Sequence, residues 1–263
     1  VTGLVLSGSM NRFVVRMDDG RAIECGLKGK VLKGAEGFYN PLAPGDRVEF
    51  EWDEASGGPG QVTACVPRRN SYARWNRKGR APQLLAANLD LLLAVSSPAS
   101  PPFRPRFLDR VLLQADVAGI APVIVMNKCD LADGDIDTDE RLEDFKRLGY
   151  LVVAVSAATG EGLEALRGLI AGKTAALVGQ SGVGKSSLVN ALEPESDLAV
   201  GELCAKFDRG SHTTTMARLL RVPAPAGGAW IIDTPGVRQL APEGTSAGDL
   251  AYHLREFAPL IGR

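Results

Sequence analysis

GQSGVGKS, residues 179–186, follows the apolar run AALV and opens onto the helix-forming run SSLVNAL. It satisfies GxxxxGK[ST] in full, and an apolar strand before it with a helix after it is the context that pattern requires. Gly179, Gly182 and Gly184 let the backbone curl so that the N–H groups along Gln180, Ser181 and Val183 turn toward phosphate oxygens. The helix start at Ser186 and Ser187 adds favourable partial charge. Lys185 is placed to bridge the β- and γ-phosphates, and Ser186 to ligate a Mg²⁺ ion that neutralises charge on the phosphate oxygens.

Outward from this loop, everything after residue 83 alternates apolar strands with helical stretches. Strands are expected at Leu89–Ser96, Pro122–Met126, Leu151–Val155, Ala175–Val178, Ala217–Val222 and Ala229–Asp233. Helices are expected at Arg106–Val117, Glu140–Leu148, Gly162–Ile170 and Lys185–Leu192. This pattern predicts an α/β domain with a mostly parallel sheet, whose ligands bind at the carboxyl ends of the strands.

Three further motifs fall at such ends. DTPG, 233–236, follows AWII; its Asp233 would hold Mg²⁺ through water and its Gly236 N–H would sense the γ-phosphate. Alone, the string is an ordinary turn. NKCD, 127–130, follows APVIVM and decides the base. Asp130 can accept hydrogen bonds from guanine N1–H and the exocyclic amine, which adenine cannot offer in that arrangement. Lys128 would lie across the base, Asn127 would tie this loop to the others, and Cys129 lies between Lys128 and Asp130. SAATG, 156–160, would present backbone N–H groups of Ala157 and its neighbours to guanine O6; the alternative is a helix N-cap at Ser156 or Thr159.

Residues 1–67 read differently. Five short β-type runs (GLVLSG, RFVVRM, RAIECGL, DRVEFEW and QVTACV) are punctuated by turn signals such as Asp18-Asp19-Gly20 and Pro44-Gly45-Asp46. They predict a small barrel of the OB type, with an SH3-like barrel as the alternative. The segment 68–82 reads as a basic linker: Arg68, Arg69, Arg74, Arg77, Lys78 and Arg80 surround Tyr72 and Trp75. It is either an RNA surface, with arginines for phosphates and aromatics for stacking, or a solvated connection. At the other end, DLAYHLREF reads as a helix with Ser246 as N-cap.

Net charge is −1 over 263 residues, so any charged-partner surface is local rather than global. Four cysteines lie far apart with no CxxC pair, which suggests neither a disulfide framework nor a zinc knuckle. No apolar run reaches the roughly 20 residues needed to span a bilayer, and no signal-peptide layout opens the chain, so a cytoplasmic protein without a membrane partner is expected.

In ordinary small GTPases the P-loop comes first and the NKxD and SAx motifs last; here NKCD and SAATG come first. With the preceding barrel, RRNSYARW, AANLDLLL and the loop GSHTTT, this order resembles the circularly permuted GTPases of the RsgA/YjeQ family. The expected organisation is an OB-type barrel (1–67), a basic linker (68–82), a circularly permuted P-loop GTPase domain of α/β class (83–240) and a short helical C-terminal segment (241–263).

The resemblance implies a monomeric Mg²⁺-dependent GTPase that binds GTP and GDP and acts in late maturation of the small (30S) ribosomal subunit. Contact with ribosomal RNA and stimulation by that subunit are implied as well. Val237 stands where Ras-like enzymes carry a water-orienting Gln; the resemblance points to His212 instead, the competing reading being a loop histidine without a role. Thr214, with Thr213 as the near alternative, would complete the Mg²⁺ shell from DRGSHTTT, 208–215. With water positioning incomplete, unstimulated turnover is expected on the order of 10⁻⁴–10⁻² s⁻¹. The family's Zn²⁺ cluster has no ligands within residues 1–263, where no Cys follows Cys204; a truncated chain is the expected reason, a missing zinc module the other.

Two rival functions stay open at this point. One is a nucleotide-gated RNA-binding module in which hydrolysis is incidental; the other is a P-loop kinase or ATPase, against which NKCD argues.

Overall fold

The computed structural model describes residues 1–9, 11–29, 32–55, 57–76, 78–132, 134, 136–193, 216–237, 250–257 and 260. The first five strands are β1 (Thr2–Ser9), β2 (Arg12–Met17), β3 (Ala22–Leu27), β4 (Arg47–Glu51) and β5 (Gly60–Cys65). They pair around a ring, β1-β2-β3-β5-β4, which closes through β4 on β1. β3 and β5 run parallel and the other pairs antiparallel, which is the Greek-key barrel of the OB type. Alternation drives it: in β4, RVEFE, Val48 and Phe50 point inward while their neighbours are exposed. They meet Val5, Phe13, Val15, Cys25 and Val62, with Leu32, Ala35 and Leu42 from the β3–β4 connection adding to the same interior.

The segment expected as a linker is instead structured. β6 (Ser71–Asn76) and β7 (Ala81–Ala87) form an antiparallel hairpin. Its arginines disguise it. Arg74 sits opposite Gln83 and donates to its Oε1 from Nε and Nη2 at 3.2 Å, a cross-strand pair with a neutral amide. Tyr72, Leu85 and Ala86 go into the same core as helix residues 108–115. At the barrel side, Gly45 has φ +91°, and a Cβ there would lie 2.2 Å from Ala87 O; the close approach demands glycine.

The rest alternates as expected: β8 (Leu91–Ser96), α1 (Pro105–Val117), β9 (Ala121–Asn127), α2 (Ile136–Arg147), β10 (Leu151–Val155), α3 (Leu163–Ile170), β11 (Thr174–Gly179), α4 (Lys185–Leu192), β12 (Arg218–Val222), β13 (Ala229–Asp233) and α5 (Leu250–His253). The order β10-β9-β8-β11-β13 is parallel throughout, and β12 lies antiparallel on β13. β12 also meets β1 at Ser7 and Arg218, joining the barrel to this sheet.

Both faces are covered. In β8, Leu92 and Ala94 pack with α1, α2 and the hairpin, while Leu91, Leu93 and Val95 pack with α3 and α4; that is why the strand reads as continuous apolar sequence. α2 starts at Ile136, one turn before the expected Glu140, because Asp137 and Asp139 favour the positive end of a helix. α5 is short, and beyond it Arg255 holds the α/β domain: Nη2 and Nε reach Asp116 at 2.9 and 3.2 Å, Nη1 reaches Gly149 O at 3.1 Å, and the guanidinium lies 3.9 Å from the Tyr150 ring centroid. The expected N-cap Ser246 lies outside the described residues.

Candidate functional site

The parallel order places four loops side by side at the carboxyl edge, those leaving β9, β8, β11 and β13. The P-loop leaves β11 and ends in Gly184, the N-cap of α4. Gly182 and Gly184 have φ +87° and +91°, a region other residues enter at a cost. Space is as restrictive as angle: a Cβ on Gly184 would lie 2.3 Å from Asn127 Nδ2, and one on Gly179 would lie 2.4 Å from Val95 O. Gln180 is half-buried and Val183 buried in the core beside α4, while Ser181, Gly182, Ser186 and Ser187 are exposed along the loop and first turn.

Lys185 is folded back and buried, donating to Gly179 O and Gln180 O at 3.0 Å each. Burial pushes its ammonium below the ordinary lysine value, and the Asp233 charge opposes that shift. Ser186 Oγ donates to Asp233 Oδ2 at 2.9 Å. A hydroxyl and a carboxylate held together at the end of a phosphate loop are hard oxygen donors that suit Mg²⁺. Among the described residues no group of three or more His, Cys, Asp or Glu side chains is close enough to hold a metal ion.

The DTPG turn is fixed to β11 and the start of the P-loop. Thr234 is buried and its Oγ1 donates to Leu177 O at 2.6 Å; Val237 N donates to Gly179 O at 3.1 Å. Between them Gly236 packs on Ser181, where a Cβ would come 3.0 Å from Ser181 N. Val237 is itself part of the apolar core and offers no polar group for a water.

NKCD links the remaining loops. Asn127, buried, donates from Nδ2 to Val183 O at 2.9 Å and accepts the Ala157 N–H at 3.1 Å. Lys128 donates to Gly182 O at 2.8 Å and also to Ser100 O. Cys129 is half-buried and Asp130 exposed, in a short 3-10 turn ending at Leu131.

In SAATG, α3 begins after Gly162 without a side-chain cap. Ser156 is therefore no N-cap; its Oγ accepts the N–H groups of Ala158 and Thr159 at 3.3 and 3.1 Å and shapes the loop. Ala157 N–H, expected to face the base, is engaged by Asn127 in this arrangement.

The basic cluster divides. Arg68, expected to meet phosphates, is nearly buried, pairs with the fully buried Asp46 at 2.7 and 2.9 Å, and donates to Pro41 O at 2.8 Å. Arg69 is paired with Asp90 at 2.7 Å. Tyr72 is fully buried and unavailable for stacking, while Trp75, Lys78 and Arg80 are exposed. His212, Thr213, Thr214 and Arg77 lie outside the described residues.

Two elements of this arrangement escaped the sequence reading. The loop after β8 touches Lys128 through Ser100, and Thr234 anchors the DTPG turn. SSPASPP at the carboxyl end of a fully buried strand is the signal that would have found the first.

A P-loop, a DxxG turn and an NKxD loop at the carboxyl ends of strands in one parallel sheet, with the NKxD strand earlier in the chain than the P-loop strand, define a circularly permuted P-loop GTPase. The profile of the RsgA GTPase family matches residues 65–243. The chain is 35% identical over 256 residues to "Small ribosomal subunit biogenesis GTPase RsgA" of Borrelia recurrentis, covering 96% of this chain and 79% of the relative. It is 38% identical over 261 residues to the protein of that name in Gemmatimonas aurantiaca, covering 99% and 83%. Two solved structures are similar. YjeQ from Thermotoga maritima has a TM-score of 0.69 at 29% identity, covering 97% of this chain and 82% of that one. YloQ, described as a circularly permuted GTPase, has a TM-score of 0.64 at 25% identity, covering 98% and 79%. The chain belongs to the RsgA GTPase family, and its activity is that of a GTPase, a hydrolase.

Proposed function

We propose that this GTPase is a late assembly factor of the small ribosomal subunit, and that the subunit stimulates its slow GTP hydrolysis through contacts with ribosomal RNA. The observation that carries the proposal is that relatives aligned along nearly the whole chain, barrel included, are small ribosomal subunit biogenesis GTPases by name. Under this reading it works as a cytoplasmic monomer. Among the described residues no helix is long and apolar enough to cross a membrane.

The residues divide the work. Asp130, which is exposed, takes the guanine N1–H and amine; adenine would leave its carboxylate unsatisfied. Lys128 lies along the base, and Asn127, Cys129, Ser156 and Ala157 hold the loops that frame it. The N–H groups from Gln180 to Ser187 receive the phosphates. Lys185 exchanges the Gly179 and Gln180 carbonyls for phosphate oxygens, whose charge stabilises an ammonium that burial alone disfavours. Ser186 directly, and Asp233 through water, would hold Mg²⁺, which when bound neutralises charge on the phosphates. Gly236, packed on Ser181, is placed to register the γ-phosphate.

Because Val237 is a buried apolar side chain, the attacking water needs another partner. His212 is proposed for it and Thr214, or Thr213, for the metal shell, on sequence resemblance alone. For RNA, the exposed Trp75, Lys78 and Arg80 with Arg74 and Arg77 form the proposed surface; Arg68 and Arg69 support it through their carboxylate pairs. The test is sedimentation with purified small subunits. Co-migration with a non-hydrolysable GTP analogue and loss of it with GDP is the expected result. Absence of co-migration in both states would overturn the proposal.

A further inference from the structure

β8 lies between the strand that ends in NKCD and the strand that ends in the P-loop. The segment leaving it, Ser97–Phe103 (SPASPPF), is therefore placed between those two loops. Ser97 is 1% exposed, and its Oγ accepts the Ser100 N–H at 3.3 Å. That turn presents the Ser100 carbonyl to Lys128, whose ammonium donates to it and to Gly182 O at 2.8 Å. On the other flank Pro101 faces Gly182 of the P-loop, where an added Cβ would lie 3.6 Å from Pro101 Cδ.

An ammonium has three N–H donors. Two of Lys128's are fixed by carbonyls from separate loops, and one remains for a ligand. The backbone agrees with this purpose, since Lys128 has φ 65°, a left-handed conformation that persists in a non-glycine residue only when its surroundings impose it.

We infer that the Ser97–Pro101 loop is a positioning element for nucleotide retention, with Ser97 as its positioning residue. It holds the Lys128 ammonium in its bound orientation before the nucleotide arrives, so the rotamer entropy of a four-carbon side chain is not lost on binding. The consequence falls on the dissociation rate. The inference rests on reading this site as a guanine-nucleotide pocket.

The experiment is stopped-flow release of a fluorescent GDP from the wild type, Ser97→Ala, Lys128→Ala and the double variant, with thermal melts of each. Ser97→Ala should release about five-fold faster, the equivalent of one hydrogen bond. Lys128→Ala should release faster still, and the double variant no faster than Lys128→Ala alone. If Ser97→Ala fails to fold, Pro101→Ala loosens the same loop and carries the same expectation. Wild-type release rates in the loop variants, or independent multiplication of the two effects, would overturn the inference while leaving the pocket intact. Failure of the wild type to bind GDP would instead remove the pocket itself.

Discussion

Asn127 Nδ2 stands 2.9 Å from Val183 O, so the residue that opens the base-recognition loop also closes the phosphate loop, 56 positions later in the chain. Its Oδ1 takes the Ala157 N–H, and three loops converge on one buried amide. Asn127→Ala would leave the buried Val183 carbonyl and the half-buried Ala157 N–H without this partner. At about 1–3 kcal/mol each, GDP affinity should fall at least ten-fold while the far-ultraviolet spectrum stays unchanged. Unaltered affinity in a calorimetric titration would show that the loops hold their places without it.

Base choice is a separate matter, carried by Asp130. Replacing it with Asn turns one acceptor into a donor, which clashes with the guanine amine and complements the xanthine O2 carbonyl. Asp130→Asn should therefore lose GTP binding by about 100-fold or more and gain xanthosine triphosphate, as a hydrogen-bonding site rejects the analogue it cannot satisfy. Competition between the two nucleotides measures it; retained GTP preference would place base recognition elsewhere.

The arginines of the hairpin region separate into structural and exposed groups. Arg68→Ala strands the buried Asp46 and should cost about 3 kcal/mol or more of stability in urea unfolding. Lys78→Ala and Arg80→Ala, both at exposed positions, should leave stability within about 0.5 kcal/mol and weaken only small-subunit binding, with a shallower salt dependence. The opposite pattern, stability lost at Arg80 and binding lost at Arg68, would refute the division.

Burial pushes the Cys25 thiol up to about 12 and the Cys65 thiol up to about 11, from an ordinary value of 9.0. Folded-state values above the unfolded ones mean that the stability they contribute is complete below pH 9 and is lost as pH rises toward 11 to 12. Between those limits the unfolded chain releases protons that the folded barrel keeps. Urea midpoints should fall progressively above pH 9, and the fall should shrink in Cys25→Ala and Cys65→Ala. A midpoint independent of pH across that range would contradict the assignment.

The site was legible wherever an apolar strand ran directly into a motif, because the strand fixes position and the motif supplies chemistry. GQSGVGKS after AALV, NKCD after APVIVM and DTPG after AWII all lie at the same edge of one parallel sheet. The hairpin was not legible, since Arg74 and its basic neighbours hide a strand whose inward residue is the fully buried Tyr72. Contacts between distant segments leave no local trace: Arg255 and Asp116 are 139 positions apart. Ser156 illustrates a third limit, for the residue was found while its task, shaping the loop rather than capping a helix, depends on where α3 begins.

The most direct measurement is GTP turnover by this chain alone, with purified small ribosomal subunits, and with large subunits as control. Slow basal turnover, on the order of 10⁻² s⁻¹ or less, raised many-fold by small subunits and not by large ones, is the predicted result. Turnover that small subunits leave unchanged would keep the GTPase and contradict its proposed place on the ribosome.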